Sequence, residues 1–123
     1  MVEDVVSALK RYRYVDDEEF ARRYADRRAT AGKSGARLLR LELRAKGVTD
    51  KETIESAVAD AFERAPEADA VEALIEKRLK GRPISGPDDL RRLRDFLLRR
   101  GFDPETVYDR LRRLGKETAA EEE

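Results

Sequence analysis

Apolar residues recur at helical spacing along nearly the whole chain. Pairs such as Phe20/Tyr24 and Val71/Leu74 stand three or four residues apart, which places them on one face of an α-helix, and no segment alternates as a strand would. The pattern predicts an all-α fold. We expect about seven helices, over residues 2–13, 16–30, 35–46, 50–63, 66–80, 87–100 and 104–114.

Two of these helices end on the same short arrangement. "LELRAKGV" ends at Val48 and "DFLLRRGF" ends at Phe102, and in each of them cations precede a glycine and one apolar residue follows it. A left-handed glycine after the last turn lets the next amides turn back to the unpaired carbonyls, and the following apolar residue packs on that turn. We therefore predict positive φ at Gly47 and Gly101.

The predicted helix starts carry residues that cap helices. Asp16 and Thr49 each precede a glutamate by three residues, which is the spacing of a capping box, and Asp103 stands directly before Pro104. Ser34 is the predicted cap of the helix over residues 35–46. Gly and Pro cluster in "GRPISGP", which predicts the longest irregular connection.

Aligning the two glycine endings reveals an internal repeat of three helices. We assign residues 15–64 and 65–115 to two complete repeats, residues 1–14 to the last helix of a first, incomplete repeat, and residues 116–123 to an acidic disordered tail. The aligned apolar pairs are Leu39/Leu43 with Leu93/Leu97, and Val5/Leu9 with Ile54/Val58 and Val107/Leu111. Because each repeat has a narrow apolar stripe, the repeats should stack into an elongated, curved array.

Charge is abundant but divided between segments. The 27 Lys and Arg residues balance the 27 Asp and Glu residues, so the formal net charge is zero and does not by itself indicate a nucleic-acid partner. From Arg22 to Lys46, however, nine cations stand against two acids, whereas seven acids stand against two cations from Gly47 to Asp69. The middle repeat therefore carries a basic segment followed by an acidic one.

The composition excludes most enzyme chemistries. Cys, His, Trp, Asn and Gln are absent, so disulfides, His or Cys metal sites, imidazole catalysis and thiol nucleophiles are ruled out. We expect no enzyme activity, no metal and no cofactor. No apolar run approaches a membrane span and no signal-peptide pattern is present, so we expect a cytoplasmic protein.

Two further motifs have structural explanations. "AGKSG" resembles part of a phosphate-binding loop, but Arg27 stands where that motif needs its first glycine and no strand leads into it, so we interpret it as an interhelical loop. Tyr12 and Tyr14 among cations could stack on nucleotide bases, although core packing explains them better.

The basic segment is the best candidate for a binding surface. Arginine binds phosphates and acidic protein groups through paired hydrogen bonds, and the alternative is a solvated face crossed by Arg–Glu pairs. The candidate residues are Arg22, Arg23, Arg27, Arg28, Lys33, Arg37, Arg40, Arg44 and Lys46 in the middle repeat, and Arg91, Arg92, Arg94 and Arg99 in the last repeat.

The order and spacing of these motifs resemble a known family. "YVDDEEFARRYADRRATAGKSGARLLRLELRAKGV", followed by "FLLRRGFDPETVYDRLRRL", resembles the RecX family of bacterial regulatory proteins, which modulate the RecA recombinase. The resemblance covers roughly Tyr14 to Leu114. It departs from the family in the incomplete first repeat and the zero net charge.

The resemblance implies both a fold and a partner. Family members fold as tandem three-helix repeats, and this chain would bind the RecA filament on single-stranded DNA, lie along its groove, and inhibit strand exchange and ATP hydrolysis or promote disassembly. We expect a monomer that has no membrane partner. Two alternatives remain from the residues alone, a protein-binding helical scaffold and a helix-turn-helix DNA-binding protein, although the latter lacks the Asn or Gln that reads adenine.

Overall fold

A computed structural model describes residues 2–122, with side chains at residues 5, 7–9 and 16–116. Within that range the chain forms only helices as regular elements, so the all-α fold of tandem three-helix repeats is confirmed. The six helices are α1 (Val2–Ala31), α2 (Ala36–Ala45), α3 (Lys51–Arg64), α4 (Glu67–Leu79), α5 (Pro87–Arg99) and α6 (Pro104–Glu122).

The first and last helices are longer than the sequence pattern predicted. All seven predicted segments are helical, but the first two join into α1 without a break, so Asp16 lies inside a helix and does not cap one. No glycine or proline separates the two segments, so the helix continues through them. The side chains of Tyr12 and Tyr14 lie outside the described residues.

The last helix, α6, passes its predicted end at residue 114 and runs to Glu122. Gly115 lies within it and costs only about 1 kcal/mol relative to alanine in a helix interior. The lysine, glutamate and alanine residues that follow are good helix formers, so nothing in the sequence terminates the helix there.

The two predicted glycine stops are confirmed. Gly47 has φ of 100° and Gly101 has φ of 83°. The amide of Val48 donates to the carbonyl of Leu43 at 3.0 Å, and the next helix stop repeats this bond from Phe102 to Leu97 at 3.3 Å. Both endings therefore have the Schellman hydrogen-bond pattern.

Two predicted caps are wrong by one residue. Asp50, and not Thr49, caps α3, because its carboxylate accepts from the backbone amide of Thr53 at 3.0 Å. Gly35, and not Ser34, is the N-cap of α2. The Ser34 side chain is buried and engaged elsewhere, so the amides at the start of α2 must find other partners.

The core consists of two hydrophobic clusters, each built by three consecutive helical segments. In the first cluster α1 contributes small alanines, which allow the neighbouring helices to approach it closely. In the second cluster α4 contributes larger aliphatic residues at the equivalent positions. The first cluster contains Ala21, Tyr24, Ala25, Ala29, Leu39, Leu43, Val48, Ile54, Ala57, Val58 and Ala61. The second contains Val71, Ile75, Leu79, Ile84, Leu93, Leu97, Phe102, Val107 and Leu111.

The two clusters are joined where the start of α2 meets the end of α5. The Gly35 amide donates to the Arg100 carbonyl at 2.8 Å, and the Arg37 amide donates to the Gly101 carbonyl at 3.0 Å. Helix-start amides and helix-end carbonyls have no partners within their own helices. Each helix end therefore satisfies the other, and their dipoles meet with opposite charge.

Glycines and one carboxylate complete this junction. A Cβ on Gly35 would overlap the backbone of Phe102, and a Cβ on Gly101 would overlap the backbone nitrogen and Cβ of Leu38. Glu67, in the first turn of α4, accepts a hydrogen bond from the Ala36 amide at 2.6 Å. The junction therefore requires two positions without side chains.

Replacing either helix-stop glycine with alanine separates the effect of φ from that of packing. Each substitution strains a left-handed residue, which costs about 1 kcal/mol. At Gly47 the added methyl group meets open space, whereas at Gly101 it overlaps Leu38, which should add about 1–3 kcal/mol. Urea unfolding of Gly47→Ala and Gly101→Ala should therefore give a clearly larger loss at Gly101, and equal losses would contradict the tight junction.

Candidate functional site on the basic helix faces

Three arginines of α2 lie on one face of that helix. Arg37, Arg40 and Arg44 follow each other at intervals of three and four residues, which aligns them along one side. Leu41 lies on the same side and is 62% exposed. We call Arg37, Arg40, Leu41 and Arg44 the α2 face.

The arginines of the α2 face differ in the ion pairs that they make within the protein. Arg40 pairs with Glu55 of α3, with 3.1 Å between Nε and a carboxylate oxygen. Arg37 and Arg44 are exposed, and no ion pair engages either of them among the described residues. These two guanidinium groups can therefore meet a partner without giving up an internal contact.

Arg28 is held inside the fold by several contacts. Its guanidinium donates to both carboxylate oxygens of Glu42, at 3.1 and 2.8 Å, and to the hydroxyl of Ser34 at 2.7 Å. The Tyr24 hydroxyl donates to the same carboxylate at 2.7 Å. This network ties the end of α1 to α2, so Arg28 is occupied although its charge made it a candidate for binding.

The shared contacts shift the ionisation of all three titratable groups. Burial by itself would raise the pKa of Glu42, but hydrogen bonds from Arg28 and Tyr24 outweigh it and hold that pKa below its ordinary value. Burial, together with the neighbouring carboxylate, raises the pKa of Tyr24. The hydrogen bond to Glu42 raises the pKa of Arg28, although burial opposes this, so the ion pair persists over a wide pH range.

A second group of cations surrounds an aromatic pair on α1. Phe20 stacks on Tyr24 with 5.8 Å between ring centroids. Arg27 and Lys46 each lie over the Tyr24 ring, at 5.5 and 5.3 Å from its centroid. The structure thus brings these two cations together from different helices, at a place separate from the α2 face.

Arg22 and Arg23 lie apart from both groups. Arg23 pairs with Glu19 one turn earlier, at 2.6 Å, and both side chains are exposed. Arg22 lines a groove between α1 and α3 whose other charged residues, Glu18 and Glu52 among them, are acidic. Neither arginine extends the α2 face, so the candidate set does not form one continuous stripe.

The "AGKSG" loop is the interhelical connection that the sequence predicted, since it follows α1 and precedes α2. Lys33 lies at the rim of a groove between the two halves of the chain. Arg64 and Lys77 line the same groove, and neither belonged to the candidate set. Their spacing along the chain does not indicate this proximity, because only the packing of α3 and α4 against the loop creates it.

Two arginines of α5 repeat the α2 arrangement. Arg91 and Arg94 occupy the positions that correspond to Arg37 and Arg40 when the glycine stops are aligned. Each has an exposed acidic neighbour on its own helix, Asp88 at 3.5 Å for Arg91 and Asp95 at 3.1 Å for Arg94. Such exposed pairs stabilise the fold by at most about 1 kcal/mol and can be replaced by a partner.

The remaining two candidates on α5 are exposed. Arg99 donates from Nε to the backbone carbonyl of Asp95 at 3.3 Å, near the end of the helix. Arg92 has no ion pair among the described residues. The pKa of Asp89, nearby, is lowered by hydrogen bonds from the Ser85 amide and hydroxyl, which tie the first turn of α5 to the residue before its N-cap.

The last repeat contains a cation–π cluster that the sequence interpretation missed. Arg78 lies 4.2 Å and Arg100 lies 5.3 Å from the ring centroid of Phe96. Aligning the buried residues Ala21, Ala25 and Ala29 of α1 with Val71, Ile75 and Leu79 of α4 relates Arg78 to Arg28. Aligning the glycine stops relates Phe96 to Glu42. A cation–π contact therefore replaces the ion pair at the same interhelical position, and comparing the two repeats residue by residue could have revealed it.

Other kinds of site are not found in the part of the chain that the structure describes. No group of three or more acidic, His or Cys side chains there is arranged to hold a metal ion. None of the helices in that part has the length and apolar character that a bilayer crossing requires. The basic faces described above present guanidinium and ammonium groups, which bind anions and acidic groups.

Comparisons with known proteins agree with this architecture. Residues 16–58 match a domain family described as "RecX, second three-helix domain", and residues 66–111 match "RecX, third three-helix domain". No solved structure matches the chain.

Relatives named "Regulatory protein RecX" are similar over most of the chain. The one from Mycolicibacterium smegmatis is 40% identical over 111 residues, covering 85% of this chain and 57% of the relative. The one from Geobacillus kaustophilus is 33% identical over 123 residues, covering 99% and 45%. The chain thus spans about half the length of these relatives.

The Glu42 network predicts a pH-dependent stability. Because the pKa of Glu42 is lowered in the folded protein, its contribution is fully present above the ordinary pKa of about 4.5 and is lost as pH falls through the folded pKa. Glu42→Gln should lower the unfolding free energy at pH 7 by about 1 kcal/mol or more and flatten its decline below pH 4.5. Glu19→Gln, at an exposed pair, is the control in urea unfolding and should leave the profile unchanged.

Proposed function

The chain belongs to the RecX family, and from that premise we propose that it regulates a RecA-type recombinase by binding the recombinase filament on single-stranded DNA. The name of these relatives, "Regulatory protein RecX", supports a regulatory role rather than an enzymatic one. The absence of Cys and His agrees with that role. Binding the filament, and inhibiting its ATP hydrolysis and strand exchange, are the parts that we propose for this chain.

The observation that carries the proposal is the recurrence of a basic helix face in consecutive repeats. Arg37 and Arg40 on α2 have counterparts in Arg91 and Arg94 on α5, at equivalent positions of the second helix. A partner that is itself periodic, such as a filament of identical subunits on a polyanion, can meet one such face for each repeat. A globular partner of ordinary size gains nothing from this regularity.

The α2 face suggests what the contact consists of. Arg37 and Arg44 are available for carboxylates or phosphates, and Arg40 is positioned by Glu55. Leu41 between them is 62% exposed, and an aliphatic side chain gains free energy against a protein surface rather than against phosphate. We therefore propose that α2 contacts mainly the protein subunits of the filament, with DNA phosphates as a secondary partner.

Local charge would determine how strongly the chain binds, and its position on the filament would account for the regulation. Zero net charge gives no general attraction to nucleic acid, so association depends on the local basic faces and should weaken with salt. A rigid helical array lying along a filament would hinder the subunit movements that accompany ATP hydrolysis. Inhibition would then follow from occupancy, without any catalytic group on this chain.

Charge reversal on the α2 face tests the proposal. The double variant Arg37→Glu/Arg44→Glu should lose filament binding, because two attractive contacts become repulsive, while the melting temperature changes little because neither side chain is ion-paired. Binding is measured by co-sedimentation with RecA filaments on single-stranded DNA at two salt concentrations, and inhibition by the rate of ATP hydrolysis.

The control variant Lys51→Glu/Arg112→Glu makes the same change in net charge at exposed positions of α3 and α6. It should bind and inhibit like the unmodified protein. Equal loss in both variants would mean that only overall charge matters. Full binding by the α2 variant at both salt concentrations would remove the α2 face from the contact.

A further inference from the structure

A groove lies where the two halves of the chain meet, along one side of α4. Its walls are the end of α1 with the loop that follows it, over residues 29–33, the end of α3 with the connection to α4, over residues 64–66, and α4 itself. The groove has a volume of about 440 Å³ and is open to solvent. We call it the junction groove.

The floor of the junction groove is aliphatic. Ala70, Ala73, Leu74 and Lys77 stand at intervals that place them on one side of α4, and all four line the groove. Ala70 and Leu74 pack against the second hydrophobic cluster but are only half-buried, and Ala73 is exposed. An aliphatic side chain of a partner that covered this floor would remove apolar surface from water, which favours binding.

Three cations from separate segments surround that floor. Lys33 comes from the loop after α1, Arg64 from the last turn of α3 and Lys77 from the last turn of α4. Lys33 and Lys77 are exposed and make no ion pair among the described residues, whereas Arg64 pairs with Asp26 at 2.7 Å on the surface. Such an exposed pair is weak, so a carboxylate of a partner can replace it.

Two acids of α4 are engaged outside the junction groove. Glu67 accepts a hydrogen bond from the Ala36 amide, and Glu72 pairs with Arg110 of α6. Among the residues that line the groove, Asp69 is the one acid, and it stands against three cations. The groove is therefore locally positive, although residues 47–69 as a whole carry seven acids and two cations.

We propose that the junction groove binds an acidic peptide segment of another protein. An aliphatic side chain of that segment would lie on the floor formed by Ala70, Ala73 and Leu74, and carboxylates beside it would pair with the three surrounding cations. Charge and apolar surface would thus select the same partner. The inference does not rest on the proposed filament contact, because Arg37 and Arg44 of the α2 face do not line the groove.

A nucleic acid fits the junction groove less well than a peptide does. No aromatic ring is among the described residues that line the groove, so a nucleobase would find no stacking partner there. Asp69 would repel the phosphates of a continuous polyanion that passed it. A peptide can place an uncharged or basic residue at that point, so the charges and the aliphatic floor together favour a peptide.

Synthetic peptides of defined composition test the proposal. The first peptide combines glutamates with leucines, the second has serine in place of each leucine, and the third has lysine in place of each glutamate. In NMR titrations of the isotope-labelled chain, the first peptide should shift the amide signals of Gly32, Ala65 and Ala73, which line the groove. The serine peptide should bind about tenfold more weakly because it buries no aliphatic side chain, and the lysine peptide should not bind.

Two results of these titrations would overturn the proposal. One is the absence of any shift at these amides with the first peptide up to about 1 mM, which would exclude binding of useful affinity. The other is binding of single-stranded oligodeoxythymidylate at the same amides as tightly as the first peptide, which would identify the groove as a nucleic-acid site.

Charge reversal tests the cations of the junction groove. Lys33→Glu/Lys77→Glu should weaken binding of the first peptide by about tenfold or more, because two attractive contacts become repulsive. Both side chains are exposed, so the melting temperature should change little. Lys51→Glu/Arg112→Glu makes the same change in net charge outside the groove and should bind the peptide like the unmodified chain. Equal weakening in the two variants would show that only overall charge matters and would contradict the assignment.

A single substitution tests the aliphatic floor. Ala73→Glu places a carboxylate where the partner's aliphatic side chain would lie, and it should weaken binding of the first peptide by about tenfold. Ala59→Glu, at an exposed position of α3 outside the groove, is the control and should leave binding unchanged. Full binding by the Ala73→Glu variant would mean that the peptide does not lie on this floor.

Sedimentation of the 123-residue chain without any peptide tests a different occupant, a second copy of the chain. We expect no association through the junction groove. Concentration-dependent association that Lys33→Glu/Lys77→Glu abolishes would identify a second copy as the occupant and would overturn the assignment to another protein.

Discussion

The structure depends on one contact between helix ends. The first amides of α2 and the last carbonyls of α5 lack partners in their own helices, and they pair with each other at 2.8 and 3.0 Å. Two glycines permit the approach, since a Cβ at Gly35 or Gly101 would overlap the opposite backbone. Together with the hydrogen bond from the Ala36 amide to Glu67, this contact joins the two hydrophobic clusters.

Within each repeat, the end of the first helix is fixed to the second helix by an arginine. Arg28 reaches the carboxylate of Glu42, and at the corresponding place Arg78 lies over the ring of Phe96. Guanidinium groups can serve both acceptors because they are planar and weakly hydrated. An arginine therefore occupies this position in both repeats, although its contact is an ion pair in one and a cation–π contact in the other. Such an arginine stabilises the fold and is not available to a partner.

The difference between arginines with and without internal contacts determines which part of the basic segment can bind a partner. Its cations are distributed over several surfaces. On the α2 face, Arg37 and Arg44 are exposed and no ion pair engages them among the described residues. Arg27 and Lys46 are gathered around the ring of Tyr24. The proposed filament contact therefore rests on part of the basic segment and not on all of it.

The sequence by itself determined the helices, their glycine stops and the repeat, because these follow from local rules. Gly47 and Gly101 could be predicted since a left-handed residue after a helix is a property of a few neighbouring residues. Only the tertiary structure decided which cations are occupied, and that Gly101 is packed while Gly47 is open. Those outcomes depend on contacts between residues far apart in the chain, for which helical periodicity gives no signal.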